Sequence, residues 1–357
     1  MTSRERVEAA FEHREPDRTP VFEYVLLSPL ADRLLGRPYA VDAGWGRALA
    51  ERGWEGAVRQ RAIDHLDLAV LLGHDLLYAV PNPVPEPTAA GSPAPGAPPP
   101  ADPVEALRRR NERAAESLAP PADEGLLIYR ALREEMERRG LDLPVLAPAY
   151  AHGIWTDTDL MQAMVLAPEV AAEHFALATR QSLARIEKYL ELGLDLIGVG
   201  GDFAGQRPMI SPQMYRRFIA PEVRQLSRRL HAAGARAVNA SDGDLWPVID
   251  DFLAGCEVDA YLEIDLHAGM GIGPLKEAYG DRFTLFGNLD CGNTLSFGTP
   301  EEVGTHVTDC LRAGWGDGGH ILCASNAITA SVPLANYLAA VNGYRGFFDL
   351  EPFTFHG

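Results

Sequence analysis

Five apolar runs in the second half of the chain each stop at a carboxylate, an amide or a glycine, and no other feature restricts the fold as much. The runs at 196–201, 236–240, 260–264, 283–287 and 321–323 are followed by Asp202, by Asp242, by Asp265, by Asn288 and Asp290, and by Ser325 and Asn326. Short apolar runs bounded by turn residues are how strands covered on both faces read in sequence. In α/β barrels the functional groups stand at the carboxyl ends of parallel strands, where loops from different strands converge. The pattern implies an enzyme with an acidic active-site rim.

The first half extends the count. Thr2 and Glu5 make a T-x-x-E capping box, with Val7, Ala10 and Phe11 at helical spacing behind it and Pro16-Asp17-Arg18 closing the helix. Residues 20–25 read as a first strand with Glu23 and Tyr24 near its end, 76–80 as a second and 143–148 as a third. With 195–200, 236–240, 260–264, 283–287 and 320–323 there are eight units, and helical segments fill most gaps. Those helices are expected at 104–138, at 168–192 with Gly193 as C-cap, at 211–233, at 246–253, and from Thr299-Pro300-Glu301-Glu302 to Gly314. The expected fold is α/β: a single (β/α)8 TIM-type barrel over residues 1–357, with an N-terminal helix and a long Pro-rich loop at 81–103. That loop follows a strand, so it is either a lid on the catalytic end or a passive excursion.

Charge narrows the function classes. A net charge of −18 over 357 residues opposes binding to nucleic acid or anionic lipid. The opening Met1-Thr2-Ser3-Arg4-Glu5-Arg6 lacks a signal-peptide apolar core, and no run reaches the ~18–20 apolar residues of a membrane span. Cys256, Cys291, Cys310 and Cys323 show no CxxC spacing, so neither a disulfide framework nor a cysteine-only zinc site is indicated. A reduced cytoplasmic protein with a small-molecule substrate is expected, without a nucleic-acid or membrane partner.

The rim residues divide by what they can do. Asp202, beside Gly200-Gly201, and Asp242, in a Ser-Asp-Gly turn, are candidates for proton transfer or ligand binding; capping their own loops is the competing role. Glu263 and Asp265 share a face if their strand continues, and Asp265 is the one expected at the mouth. His152 and His267 are the rim imidazoles suited to proton transfer near neutrality. Asn288, Asp290 and Asn326 are candidates for orienting substrate, and Tyr150, with Trp155, for an apolar wall. Cys323 reads as a small buried apolar residue.

The order of several weak motifs adds a resemblance. Gly200-Gly201-Asp202 through Ile210-Ser211-Pro212, then Ser241-Asp242-Gly243, Ala268-Gly269-Met270, Phe286-Gly287-Asn288-Leu289-Asp290 and Phe297-Gly298-Thr299-Pro300-Glu301-Glu302-Val303 occur in sequence. With Ser3-Arg4-Glu5-Arg6 and Pro16-Asp17-Arg18-Thr19-Pro20-Val21, they resemble the uroporphyrinogen decarboxylase superfamily, which includes zinc- and corrinoid-linked methyltransferases. The resemblance implies a TIM-type barrel, a pocket at the strand carboxyl ends and a homodimer. It also exposes departures. The Arg-rich loop that grips the porphyrin precursor's carboxylates is replaced here by Phe22-Glu23-Tyr24-Val25-Leu26-Leu27-Ser28-Pro29, and the His after the last strand by Asn326. An acidic rim without that clamp repels a polyacid. The positions of the methyltransferases' zinc ligands read Ala240, Asp242 and Asn326, with Cys323 three residues early, so that zinc site is absent and no metal ligand is assigned.

The expected function is a decarboxylase-type lyase acting on a small organic acid by acid–base chemistry. The alternatives are a corrinoid-dependent methyltransferase or demethylase with a corrinoid protein as partner, and a non-catalytic ligand-binding barrel. No cofactor is required by the sequence; a divalent ion on Asp242, Asp265 and Asp202, or a corrinoid, stays open.

Overall fold

The computed structural model describes residues 1–27, 29–41, 43–85 and 102–355. Most of the Pro-rich stretch at 81–103 lies outside the described residues. Among them seven strands form one all-parallel sheet in the order β1 Leu77–Tyr78, β2 Val145–Pro148, β3 Leu196–Gly200, β4 Arg236–Ala240, β5 Ala260–Leu262, β6 Thr284–Phe286 and β7 His320–Ile321. Each strand pairs with the next in chain order, and helices lie in the connections, as parallel pairing requires.

The eighth expected strand, at 20–25, is not one. The sheet nevertheless curls until this segment reaches both of its edges. Leu322 N donates to Pro20 O at 2.8 Å and Phe22 N to Leu322 O at 3.1 Å on the β7 side, while Asp75 N donates to Val21 O at 2.7 Å just ahead of β1. Two local facts stop a longer ladder. Pro20 has no N–H to give, and the Val21 N–H is drawn to the Asp75 carboxylate at 3.3 Å. What remains is isolated bridges, Val21 with Leu322 and Leu26 with Ile328.

Inside the curl each strand contributes to one buried cluster: Leu76 just before β1, then Leu146, Leu196, Val238 with Ala240, Ala260 with Leu262, Phe286, and Ile321 with Cys323. The first helix, Ser3–Phe11, closes the amino end by adding Val7, Ala10 and Phe11 to the same cluster. Phe286 meets Phe11 and Phe22 at ring-centroid distances of 5.8 Å, so aromatic rings fill the centre. Each such ring contributes about 1.5–3 kcal/mol by burial. The interior at the amino end is therefore filled by side chains, and what opens there is a surface groove beside Arg4, Phe11 and Arg236.

The Thr2–Glu5 capping box forms as expected, Thr299 caps its helix and also closes a box with Glu302, and Asp157 caps the helix Thr158–Leu166. The 104–138 helix is instead two, Pro103–Glu116 and Leu127–Arg139, because Pro120-Pro121 interrupts it. The segment at 211–233 contains a π-helical turn at Tyr215–Ile219, and the expected helix at 246–253 is a 3-10 turn, Trp246–Val248, followed by a π-helical turn, Asp251–Gly255. The sequence reading missed the longest helix, Ala43–Leu72, whose backbone breaks at Gly53. No helix among the described residues is long and apolar enough to cross a membrane.

Asp75, wholly buried, accepts from Ser3 Oγ at 2.9 Å, from Arg6 Nη1 at 2.9 Å and from both Arg18 Nη atoms at 2.8 and 3.0 Å. Asp75→Ala takes the carboxylate from Arg18 and leaves Arg6 with Asp17 alone, and should cost roughly 3–5 kcal/mol, read as a lower urea midpoint. Asp75→Asn, whose amide oxygen still accepts, should cost less.

Candidate active site

Two glycine-bearing loops set the site. After β3 the chain turns through Gly201 (φ 139°), where a Cβ would stand 2.7 Å from Gly153 N in the loop after β2. This close approach lets Asp202 O accept from Ile154 N at 2.7 Å and from Trp155 N at 3.1 Å. After β4, Gly243 (φ 92°) presses on the Gly205 backbone, and Asp244 N donates to Gly205 O at 2.9 Å. The loops after β2, β3 and β4 are thereby locked together. Asp202 and Asp242 meet as a result, with Asp242 N donating to Asp202 Oδ1 at 3.3 Å.

The pocket they border has a volume of about 370 Å³ and is lined by Tyr24, Tyr150, Ala151, Gly153, Trp155, Gly201, Asp202, Ala240 and Glu263. No basic side chain lines it. Tyr150 lies across Gly198, where a Cβ would fall 2.5 Å from its hydroxyl. That hydroxyl is sealed from solvent, with Tyr24 beside it but no hydrogen bond of good geometry.

Three carboxyl groups compete for charge here. Glu263 is buried, and its acidity is weakened well beyond the usual range, first by loss of solvent and then by the charges of Asp202 and Asp242. It therefore keeps its proton and donates it in a hydrogen bond to Asp202. Asp242 is pushed up to about 7 by burial and by the Asp202 charge, while the Asn326 amide, donating at 2.8 Å, works against the shift. Asp202 is also raised by burial, although bonds from Asp242 N and Glu263 oppose this. The trio titrates as one unit, so it holds a readily exchanged proton near neutrality.

Of the residues expected from sequence, the fold gathers Asp202, Asp242, Asn326 and Tyr150. Asp265 stands at the edge: its charge reaches Asp242, but its carboxylate caps a 3-10 turn, accepting from His267 N at 2.9 Å and Ala268 N at 3.3 Å. The pocket-lining acid is Glu263 instead, because β5 stops at Leu262 and Glu263 adopts φ 71°, which ends the alternation assumed for a continuing strand. Tyr24, which had no role assigned from sequence, lines the pocket and packs on Tyr78 with centroids 4.4 Å apart; Tyr78 itself borders the adjoining cavity of Arg61, His65 and His74.

The other expected residues lie elsewhere. His152 is fully buried, bonds Thr179 Oγ1 at 2.9 Å, stacks on Phe175 and is driven down to about 4 by loss of solvent. His267 is exposed and faces Asp290 at 3.0 Å. Asp290 also accepts from Asn293 N, Thr294 N and Thr294 Oγ1. Although burial opposes it, these bonds hold its carboxyl below the usual range. Asn288 donates to Met270 O at 2.8 Å. These three order loops around a neighbouring part of the rim.

Among the described residues no three His, Cys, Asp or Glu side chains are grouped so as to hold a metal ion. The methyltransferases' zinc ligand set does not fit either: Ala240 offers no donor, Asn326 is engaged with Asp242, and the Cys323 thiol is buried in the interior cluster with its acidity suppressed.

An α/β protein with a curled parallel sheet and an acidic, cation-free pocket at the strand carboxyl ends is thus defined. Residues 145–346 match the family model described as uroporphyrinogen decarboxylase (URO-D), and the chain belongs to that family. A solved methyltransferase from Methanosarcina mazei superposes with a TM-score of 0.70 at 20% identity, covering 98% of this chain and 99% of that one, which establishes likeness of fold. The apo 3-keto-D-glucoside 4-epimerase YcjR from E. coli, with a TM-score of 0.37, 10% identity and coverage of 70% and 94%, is too loose a match to carry an argument. No curated protein sequence matches.

The sign of the Asp242 shift sets a stability test. Its folded value lies above the unfolded one, so the stability it contributes is fully present below pH ~4 and is lost as pH rises through about 7. Asp242→Asn should therefore match the wild type at pH 4 and exceed it at pH 8, by roughly 1–3 kcal/mol, in paired denaturation curves.

Proposed function

We propose that this family member is an acid–base enzyme, a decarboxylase-type lyase acting on a small organic acid. The observation that carries the reading is the Asp202–Asp242–Glu263 trio, in which Asp242 has its acid form populated near neutral pH. In the proposed step the substrate's carbon–carboxylate bond breaks and CO2 leaves. The electron pair stays on carbon and takes the Asp242 proton, and solvent reprotonates Asp242. Asn326 positions the Asp242 carboxyl, and Tyr24, Tyr150 and Trp155 enclose the substrate and exclude water. The curled sheet is taken as a TIM-type barrel whose eighth member is the irregular segment at 20–27, and by family resemblance the working form is a homodimer. The lack of any basic residue at the pocket weighs against the porphyrin precursor itself.

The test is a screen of small organic acids for CO2 release, followed by Asp242→Asn. Turnover should fall by at least about 10²-fold with fold and ligand binding retained, and the wild-type rate should decline as pH rises through about 7. Retained turnover in the variant removes Asp242 from the chemistry.

A second reading, methyl transfer with a corrinoid protein, is favoured by the near full-length superposition on a methyltransferase. It requires methylation of cob(I)alamin under anaerobic conditions, an assay in which the lyase reading predicts no product.

A further inference from the structure

We infer that this pocket selects a ligand bearing one compact organic cation, an amine or N-alkylated ammonium group, so that the small acid proposed above is a zwitterion. The inference rests on taking this pocket as the substrate site. Tyr150 and Trp155 come to it from the loop after β2, Asp202 from the loop after β3, Glu263 from the end of β5 and Tyr24 from the 20–27 segment, while Asp242, held by Asn326, adjoins Asp202 just outside the lining. Ionised Asp202 and Asp242 repel each other, protonated Glu263 bonds Asp202, and no Lys, Arg or His lines the cavity to offset the charge.

A molecule of net negative charge gains nothing from this wall, whereas one positive charge placed beside Asp202 relieves the repulsion. The second observation is aromatic. Tyr24, Tyr150 and Trp155 line the same cavity, and ring faces attract cations, N-alkylated ammonium groups above all, because such groups cannot compete for strong hydrogen bonds with water. The third is the Tyr150 hydroxyl, which has Tyr24 beside it but no hydrogen bond of good geometry, so that a small shift of its ring would offer it to a ligand's polar atom. A cavity of about 370 Å³ accommodates a small ammonium compound with its attached carbon skeleton.

Cation binding and carboxyl ionisation must then be linked. A bound positive charge favours the ionised trio, so binding should release protons and strengthen as the pH rises.

Choline and its uncharged carbon isostere 3,3-dimethylbutan-1-ol are the probes, measured by calorimetry on the full chain at pH 6 and pH 8 in two buffers of different ionisation heat. Choline should saturate at least about tenfold more tightly than the isostere. Its binding should tighten several-fold at pH 8 with net proton release. Asp202→Asn should weaken choline by about tenfold or more while leaving the isostere little changed. Trp155→Ala, at a mouth residue that is 51% exposed and outside the core, should weaken choline several-fold without unfolding the protein. Equal affinity for both probes, or no saturation by choline with the protein folded, overturns the inference. If CO2 release persists and still depends on Asp242, only the cation preference is lost. If Asp242 is dispensable as well, the reading of the site itself falls.

Discussion

Asp75 is the fixed point of the molecule. A carboxylate with no solvent contact is costly unless it is matched, and here it is matched from four directions: Ser3 and Arg6 of the first helix, Arg18 from the following turn, and the Val21 N–H. Its own backbone N–H bonds Val21 O. One residue thereby seats the helix that plugs the amino end and lays the 20–22 segment against the sheet edge. Tyr344 ties the last helix, Leu334–Phe347, into the same knot through Arg18 and the Thr19 carbonyl. Because Val21 is held there, Glu23 and Tyr24 emerge at the carboxyl end, and Tyr24 reaches the pocket. The anchor at one end of the fold positions a wall of the site at the other.

Two acids on the same rim show how environment assigns a role. Asp290 sits among backbone and side-chain donors from 293 and 294, beside His267, and its carboxyl is easier to ionise than usual. Asp242 has one amide donor, a charged neighbour and little water, and its carboxyl is harder to ionise. The first suits an ordered loop; the second suits a site that must hold and release a proton. Burial and mutual repulsion both make Asp202, Asp242 and Glu263 harder to ionise, so their proximity opposes folding at high pH.

Periodicity was sufficient for β2, β3 and β4, because they are buried on both faces and read as uninterrupted apolar runs. It failed at 20–25, where Pro20 and the Asp75 carboxylate remove the donors that a strand needs. It failed again for Ala43–Leu72, whose mixed composition and break at Gly53 leave no clean helical stripe. Within the site, Asp202 and Asp242 were legible from their glycine-flanked positions after strands. Glu263 lost to Asp265 because a period-two argument cannot foresee a positive φ at the strand end. His152 occupies the expected loop, yet its ring turns into the helix layer toward Thr179 and Phe175.

The sequence by itself determined the α/β class, the family motifs, the acidic rim and the absence of a cationic clamp, since these depend on residue type and order along the chain. Which acids touch was decided only in three dimensions. Asp202, Asp242 and Glu263 come from three loops, and their proximity depends on glycine contacts between loops that local spacing does not encode. Their proton affinities follow from that proximity and from lost solvent, and both are properties of the packed structure.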